Sequence, residues 1–146
     1  MNTEPLYSYT LDFTKVTEFG ASLEAMLAGT TPIPPQGARI DVHFEGEAQG
    51  KLAGKVSGVD YLWVRADGRF CLDIHATVET PDGQRIALRA DGVATPRAGS
   101  PIVDLRENVE LQTAASDYGW VNGAQIWAKG TVDLSKGQIQ VDAYLA

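Results

Sequence analysis

The chain has 146 residues, 44% of them hydrophobic, and a formal net charge of −7. That is one domain's length with material for one core, and so acidic a surface argues against nucleic-acid and anionic-membrane partners. The lone Cys71 excludes an intramolecular disulfide, and "MNTEPLYSYT" lacks a basic stretch followed by an apolar one, so the reading is a cytoplasmic protein with no signal peptide.

In chain order, residues 5–13 are expected as a strand and residues 17–29 as a helix. "TEFGASLEAMLAG" sets Phe19, Leu23, Met26 and Leu27 at helical spacing, with Gly29 as the stop and Gly20 as the weak point. "TTPIPPQG" is a Pro-rich connection into a long meander over residues 37–146. In "DVHFE", Asp41, His43 and Glu45 share one face of a strand. With no ligand spacing around His43 or His75, that face reads as solvated, and no metal is expected.

Period two dominates the remainder. "GRFCLDIHATVET" puts Phe70, Leu72, Ile74, Ala76 and Val78 on one face and Cys71, Asp73, His75, Thr77 and Glu79 on the other. "QRIALRADGV", "ENVELQT", "AQIWAKGTVDL" and "GQIQVDAYL" alternate similarly. Asp67-Gly68 and Asp82-Gly83 are hairpin signals, and Ser57-Gly58 and the "SKG" ending at Gly137 read as further turns. About nine strands result. A meander of that length hides its edges by closing, so the expected fold is all-β, a single antiparallel up-and-down β-barrel with one short N-terminal helix; a two-sheet sandwich is the alternative. A barrel of this size can hold one small ligand in its lumen.

The hairpin registers place Tyr61 opposite Asp73, Asp60 opposite Ile74, His75 opposite Arg89 and Asp73 opposite Asp91. Tyr61, Asp73, His75 and Arg89 thus gather on one face. They are candidate ligand-binding residues if that face lines the lumen, and a solvated outer wall if the usual polar-out arrangement holds. The opposite face carries Asp60 among Leu62, Val64, Phe70, Leu72, Ile74, Ile86 and Leu88. Facing inward, Asp60 has a raised pKa and is a candidate catalytic acid or base. At a strand end after a Ser57-Gly58 turn it is wet, with Lys55 opposite as an ion pair. In "YGWVNGAQIWAKG", Trp120, Asn122, Ala124 and Ile126 share a face. Trp120 is a candidate for stacking on a ligand, and Asn122 and Tyr118 for orienting an oxygen; the bland alternative for Asn122 is local backbone bonding at a strand end. There is no Gly-rich phosphate loop and no G-x-S-x-G, and nothing around Cys71 makes it a nucleophile, so no cofactor is expected.

"GKLAGKVSGVDYLWVRADGRFCLDIHATVETPDGQRIALRADGV" followed by "DYGWVNGAQIWAKG" resembles the domain of unknown function 3237 family. The resemblance lies in Gly58 to Tyr61, in Asp73 after an Asp-Gly hairpin, in Arg89 and Gly92 after a second, and in Tyr118, Trp120, Val121 and Asn122. It spans residues from about Gly37 to the C-terminus, with Tyr61 where Trp is common in the family and His75 where Arg is frequent. It implies a single small β-barrel and an inward Asp60 and Asn122, and says little about activity.

The function expected is a small-molecule-binding barrel with an apolar or aromatic ligand in its lumen. The alternative is a cofactor-free isomerase, cyclase or lyase using Asp60 as general acid/base. A third class, a homodimeric or larger homo-oligomeric module, rests on Tyr61, Trp63 and Trp127 at outward positions.

Overall fold

A computed structural model describes residues 3–146. Its elements are β1 (Glu4–Glu18), α1 (Leu23–Ala28), β2 (Ala38–Gly50), β3 (Gly54–Val64), β4 (Phe70–Glu79), β5 (Arg85–Pro96) and β6 (Ile102–Gln112). A 3-10 segment (Ser116–Gly123), β7 (Ile126–Asp133) and β8 (Gln138–Leu145) complete the chain. Each strand pairs antiparallel with the next and β8 closes on β1, giving an up-and-down barrel with no free edge. No helix is long and apolar enough to cross a membrane.

The strand number is eight, and one local reading accounts for the difference from nine. Ser57-Gly58 is not a turn: Gly58 lies inside β3, paired with Phe44 and Ala76. A Cβ there would sit 2.4 Å from the His75 carbonyl oxygen and 2.6 Å from the Ala76 Cβ, so this glycine serves a close approach of β3 to β4. The β2–β3 turn falls earlier, between Gly50 and Gly54. The alternation of β7 does not run back through Asn122 to Trp120, because "SDYGWVNG" is the 3-10 segment that leads into that strand. The Asp-Gly turns behave as expected: Gly68 N–H bonds the Arg65 carbonyl and Gly83 N–H that of Thr80, each at 2.9 Å.

The helix is shorter than residues 17–29, because β1 runs on to Glu18. The chain turns at Gly20, and Ser22 caps α1 by accepting from the Ala25 N–H at 3.2 Å. Gly29, left-handed at φ 71°, ends it. Leu23 and Met26 are buried, while Phe19 is exposed.

The alternation of β4 and β5 sorts as read: Phe70, Leu72, Ile74, Ile86 and Leu88 face the core. The core is asymmetric along the barrel axis. One end is filled by Leu6, Leu52, Val56, Val78, Ile86, Ile126 and Val121, all essentially inaccessible, with Val121 delivered by the 3-10 segment. At the other end, Leu23 and Leu27 of α1 cover a space that side chains leave open.

Candidate lumen site

That space is a cavity of about 70 Å³. A water needs roughly 10–15 Å³ by this kind of measure, so the cavity has room for a small organic molecule's core. Its wall is apolar, with Phe13, Phe44, Leu62, Leu72 and Leu105 among the lining residues and Leu23 and Leu27 at its α1 end. Three polar residues interrupt it: Tyr9 on β1, Asp60 on β3 and Glu107 on β6.

Asp60 follows the inward phase of Val56, Gly58, Leu62 and Val64 along β3. Its Oδ1 accepts the Asp73 N–H at 3.0 Å. The β3–β4 pairing lapses between Asp60↔Ile74 and Trp63↔Cys71 without changing register, so the carboxylate substitutes there for a ladder acceptor. Burial pushes the Asp60 pKa up to about 7. The Asp73 N–H opposes that shift, and the charges of Asp73 and Asp41 add to it. The alternative ion pair is not formed: Lys55 pairs across the ladder with Glu79.

Glu107 follows the inward phase of Val103, Leu105, Val109 and Leu111. It is 5% exposed, and neither carboxylate oxygen has a hydrogen-bond partner among the described residues. Burial pushes its pKa up to about 8, with the Asp60 charge adding to the effect. Tyr9 and its stacked neighbour Tyr7, with ring centroids 5.3 Å apart, are also buried. Both phenols are held above their ordinary range by burial first and then by the Glu107 charge. Near neutrality the lumen therefore offers a protonated carboxyl that can donate, a carboxyl poised to take or give a proton, and the neutral Tyr9 phenol. That set suits general acid–base chemistry on a desolvated ligand.

The other sequence-derived candidates sit outside this cavity. Trp120 and Asn122 do not face inward, because the 3-10 turn breaks the alternation; Val121 points in instead. Asn122 accepts the Thr113 N–H and donates to the Thr113 carbonyl, both at 2.9 Å, mimicking a strand partner for the end of β6. Tyr118 donates to Asp82 Oδ1 at 2.8 Å, tying the segment to the β4–β5 turn. Trp120 is 41% exposed with Lys51 Nζ 5.1 Å from its ring centroid.

Tyr61, Asp73, His75 and Arg89 form the cross-strand patch that the registers imply, with His75↔Arg89 and Asp73↔Asp91 paired, but on the outer wall. There His75 Nε2 lies 2.9 Å from Asp73 Oδ1, and the His75 and Tyr61 rings meet edge-on at 5.7 Å. His75, Arg89 and Asn122 share a shallow outer groove. Among the described residues, no three His, Cys, Asp or Glu side chains are placed to share a metal ion.

Glu107, Tyr7 and Tyr9 went unmarked in the sequence reading. The signal for Glu107 was present, since "VDLRENVEL" puts it in phase with Val103, Leu105, Val109 and Leu111, the same anomaly that marks Asp60.

The model of the family described as protein of unknown function (DUF3237) matches residues 8–146. No curated protein matches the sequence. Among solved structures, a protein with unknown function from Clostridium acetobutylicum superposes with a TM-score of 0.79 at 21% identity, over 100% of this chain and 99% of that one. A beta-barrel like protein from Acinetobacter baumannii gives 0.77 at 22%, covering 99% and 94%. A protein from Penicillium herquei described as an enzyme gives 0.64 at 21%, covering 99% and 94%. At these identities the likeness shows a shared fold.

Proposed function

The chain belongs to the DUF3237 family, and from that premise we propose that it is a cytoplasmic small-molecule-binding barrel whose apolar or aromatic ligand sits in the lumen beneath α1. The observation that carries this reading is the unfilled apolar cavity with Asp60 and Glu107 in its wall. A barrel without a ligand role has no evident use for two carboxyls in its core, because their burial lowers stability. Small-ligand sites combine an apolar wall with a few convergent polar groups in this way.

Calorimetric titration with toluene, a probe matched to a small apolar space, tests the reading. Saturable binding is expected, and it should vanish in Leu72→Trp, which fills the cavity. Absence of binding by the folded wild-type protein sinks the proposal.

A second reading makes the barrel a cofactor-free isomerase, cyclase or lyase with Asp60 as general acid/base. It is favoured by Asp60's place at the cavity wall and its pKa near neutrality. The Penicillium herquei neighbour being described as an enzyme is compatible with it. Turnover that survives intact in Asp60→Asn rejects that role. Homodimer formation is a separate proposal, supported by the exposed Tyr61, Trp63 and Trp127, and sedimentation mass tests it.

A further inference from the structure

Glu107 is the carboxyl of the lumen that the fold itself does not use; the buried Tyr7 hydroxyl also lacks a partner among the described residues, but Tyr7 does not line the cavity. Asp60 is anchored through the Asp73 N–H, Asn122 bonds the Thr113 backbone, and Tyr118 donates to the Asp82 carboxylate. Glu107 has no such bond on either oxygen. The adjacent cation is directed elsewhere: Arg106 alternates outward and bonds the Leu105 carbonyl at 3.0 Å.

The site around Glu107 is nonetheless built. Its ladder partner on β5 is Gly92, at φ 148°, where a Cβ would lie 1.9 Å from the Arg106 carbonyl oxygen. Glycine there lets β5 close against β6 and leaves no side chain beside the carboxyl. The ladder Asp60↔Ile74, Ile74↔Ala90, Ala90↔Val109 runs from Asp60 to a residue two places from Glu107. The two carboxyls therefore reach one cavity from walls three strands apart.

We propose that Glu107 selects the ligand of this lumen, and that the ligand is a neutral apolar molecule carrying one hydroxyl or carbonyl oxygen, which bonds to the Glu107 carboxyl. The inference rests on the lumen-binding reading and names its ligand class. An oxygen from the ligand supplies the partner that the protein withholds, and a buried polar group left unpaired is costly. An anionic ligand would shed its water in an apolar wall that holds no Lys, Arg or His to pair with it, and is disfavoured. A cationic ligand requires Glu107 to ionise among hydrocarbons and must itself shed water, so it too is disfavoured. The apolar wall and the small volume limit the rest of the molecule to about one ring.

The test is calorimetric titration of the full chain at pH 7 with four probes of one shape: 4-methylphenol, toluene, 4-methylbenzoate and 4-methylbenzylamine. In the wild type, 4-methylphenol is expected to bind about tenfold tighter than toluene, the scale of one buried hydrogen bond, and both ions more weakly than toluene. In Glu107→Leu the phenol's advantage should collapse while toluene binding persists. Glu107→Gln, which keeps a donor and an acceptor, should retain most of the advantage. Equal binding of phenol and toluene by the wild type, an unchanged advantage in Glu107→Leu, or the amine as the tightest probe each overturns the inference and leaves lumen binding standing. No binding of toluene or the phenol overturns both.

Discussion

Asp60 and Glu107 make acid the stabilising condition for this barrel. A carboxyl whose pKa is raised in the folded state holds its proton there while the unfolded chain releases it. Stability is then fully present below the unfolded pKa and is lost as pH rises through the folded one. For Glu107 the window runs from 4.5 to about 8, and for Asp60 from 3.8 to about 7. The pKa values of Asp41, Asp67, Asp82, Asp104 and Asp133 are lowered by hydrogen bonds, so their contribution is lost only at acid pH and is flat across this window. Each raised group contributes up to about 1.4 kcal/mol per pH unit. Urea unfolding should therefore show stability falling by at most about 7 kcal/mol between pH 5 and pH 8, less where the two carboxyls' shifts depend on one another. Glu107→Leu should flatten that slope and raise the urea midpoint at pH 8 by removing a buried, unpartnered acid. A slope unchanged in the variant would show that the Glu107 carboxyl does not drive it. Asp60 was legible in the sequence because it breaks an otherwise apolar phase. Glu107 breaks its own phase equally, but "ENVELQT" does not extend back to Val103 and Leu105, the neighbours that define the phase.

Elements were legible wherever pattern and turn chemistry agreed. The β3–β4 and β4–β5 hairpins followed directly from alternation and Asp-Gly turns. "SDYGWVNG" misled because Trp120, Asn122, Ala124 and Ile126 alternate on paper, while an isolated 3-10 turn has no periodicity long enough to announce itself. What makes it a turn is the Asn122 amide, which takes the place of a strand partner at Thr113. Asn122→Ala removes both bonds. It should cost about 1–3 kcal/mol in chemical denaturation and loosen the Val121 plug, with faster amide exchange at Thr113. Loss of ligand binding without loss of stability would instead restore Asn122 to a direct role in the site. Ser57-Gly58 misled in the same way, for glycine marks close backbone approach as well as turns, and only the position of Ala76 across the ladder distinguishes the two.

At the scale of the molecule, closure was readable because a long meander has few other ways to protect its edges. The division of the lumen into a filled end and an open end was not, since it depends on which side chains share a level across eight strands. That division gives the barrel two different responses to the same substitution. Ile86 is inaccessible and packed at the end that Val121 closes, so Ile86→Ala should open a new cavity and cost about 2–5 kcal/mol. Leu72 already borders the cavity, so Leu72→Ala forfeits fewer contacts and enlarges an existing space. Its cost should fall at or below the lower end of that range. The two variants should also part in binding: Leu72→Ala should admit a larger ring, such as naphthalene, while Ile86→Ala lowers the melting temperature and leaves ligand size preference as it was. Paired thermal melts and calorimetry decide it. Equal destabilisation by both substitutions, with no change in preferred ligand size, would mean that the lumen is uniformly packed and that its open end does not exist as a site.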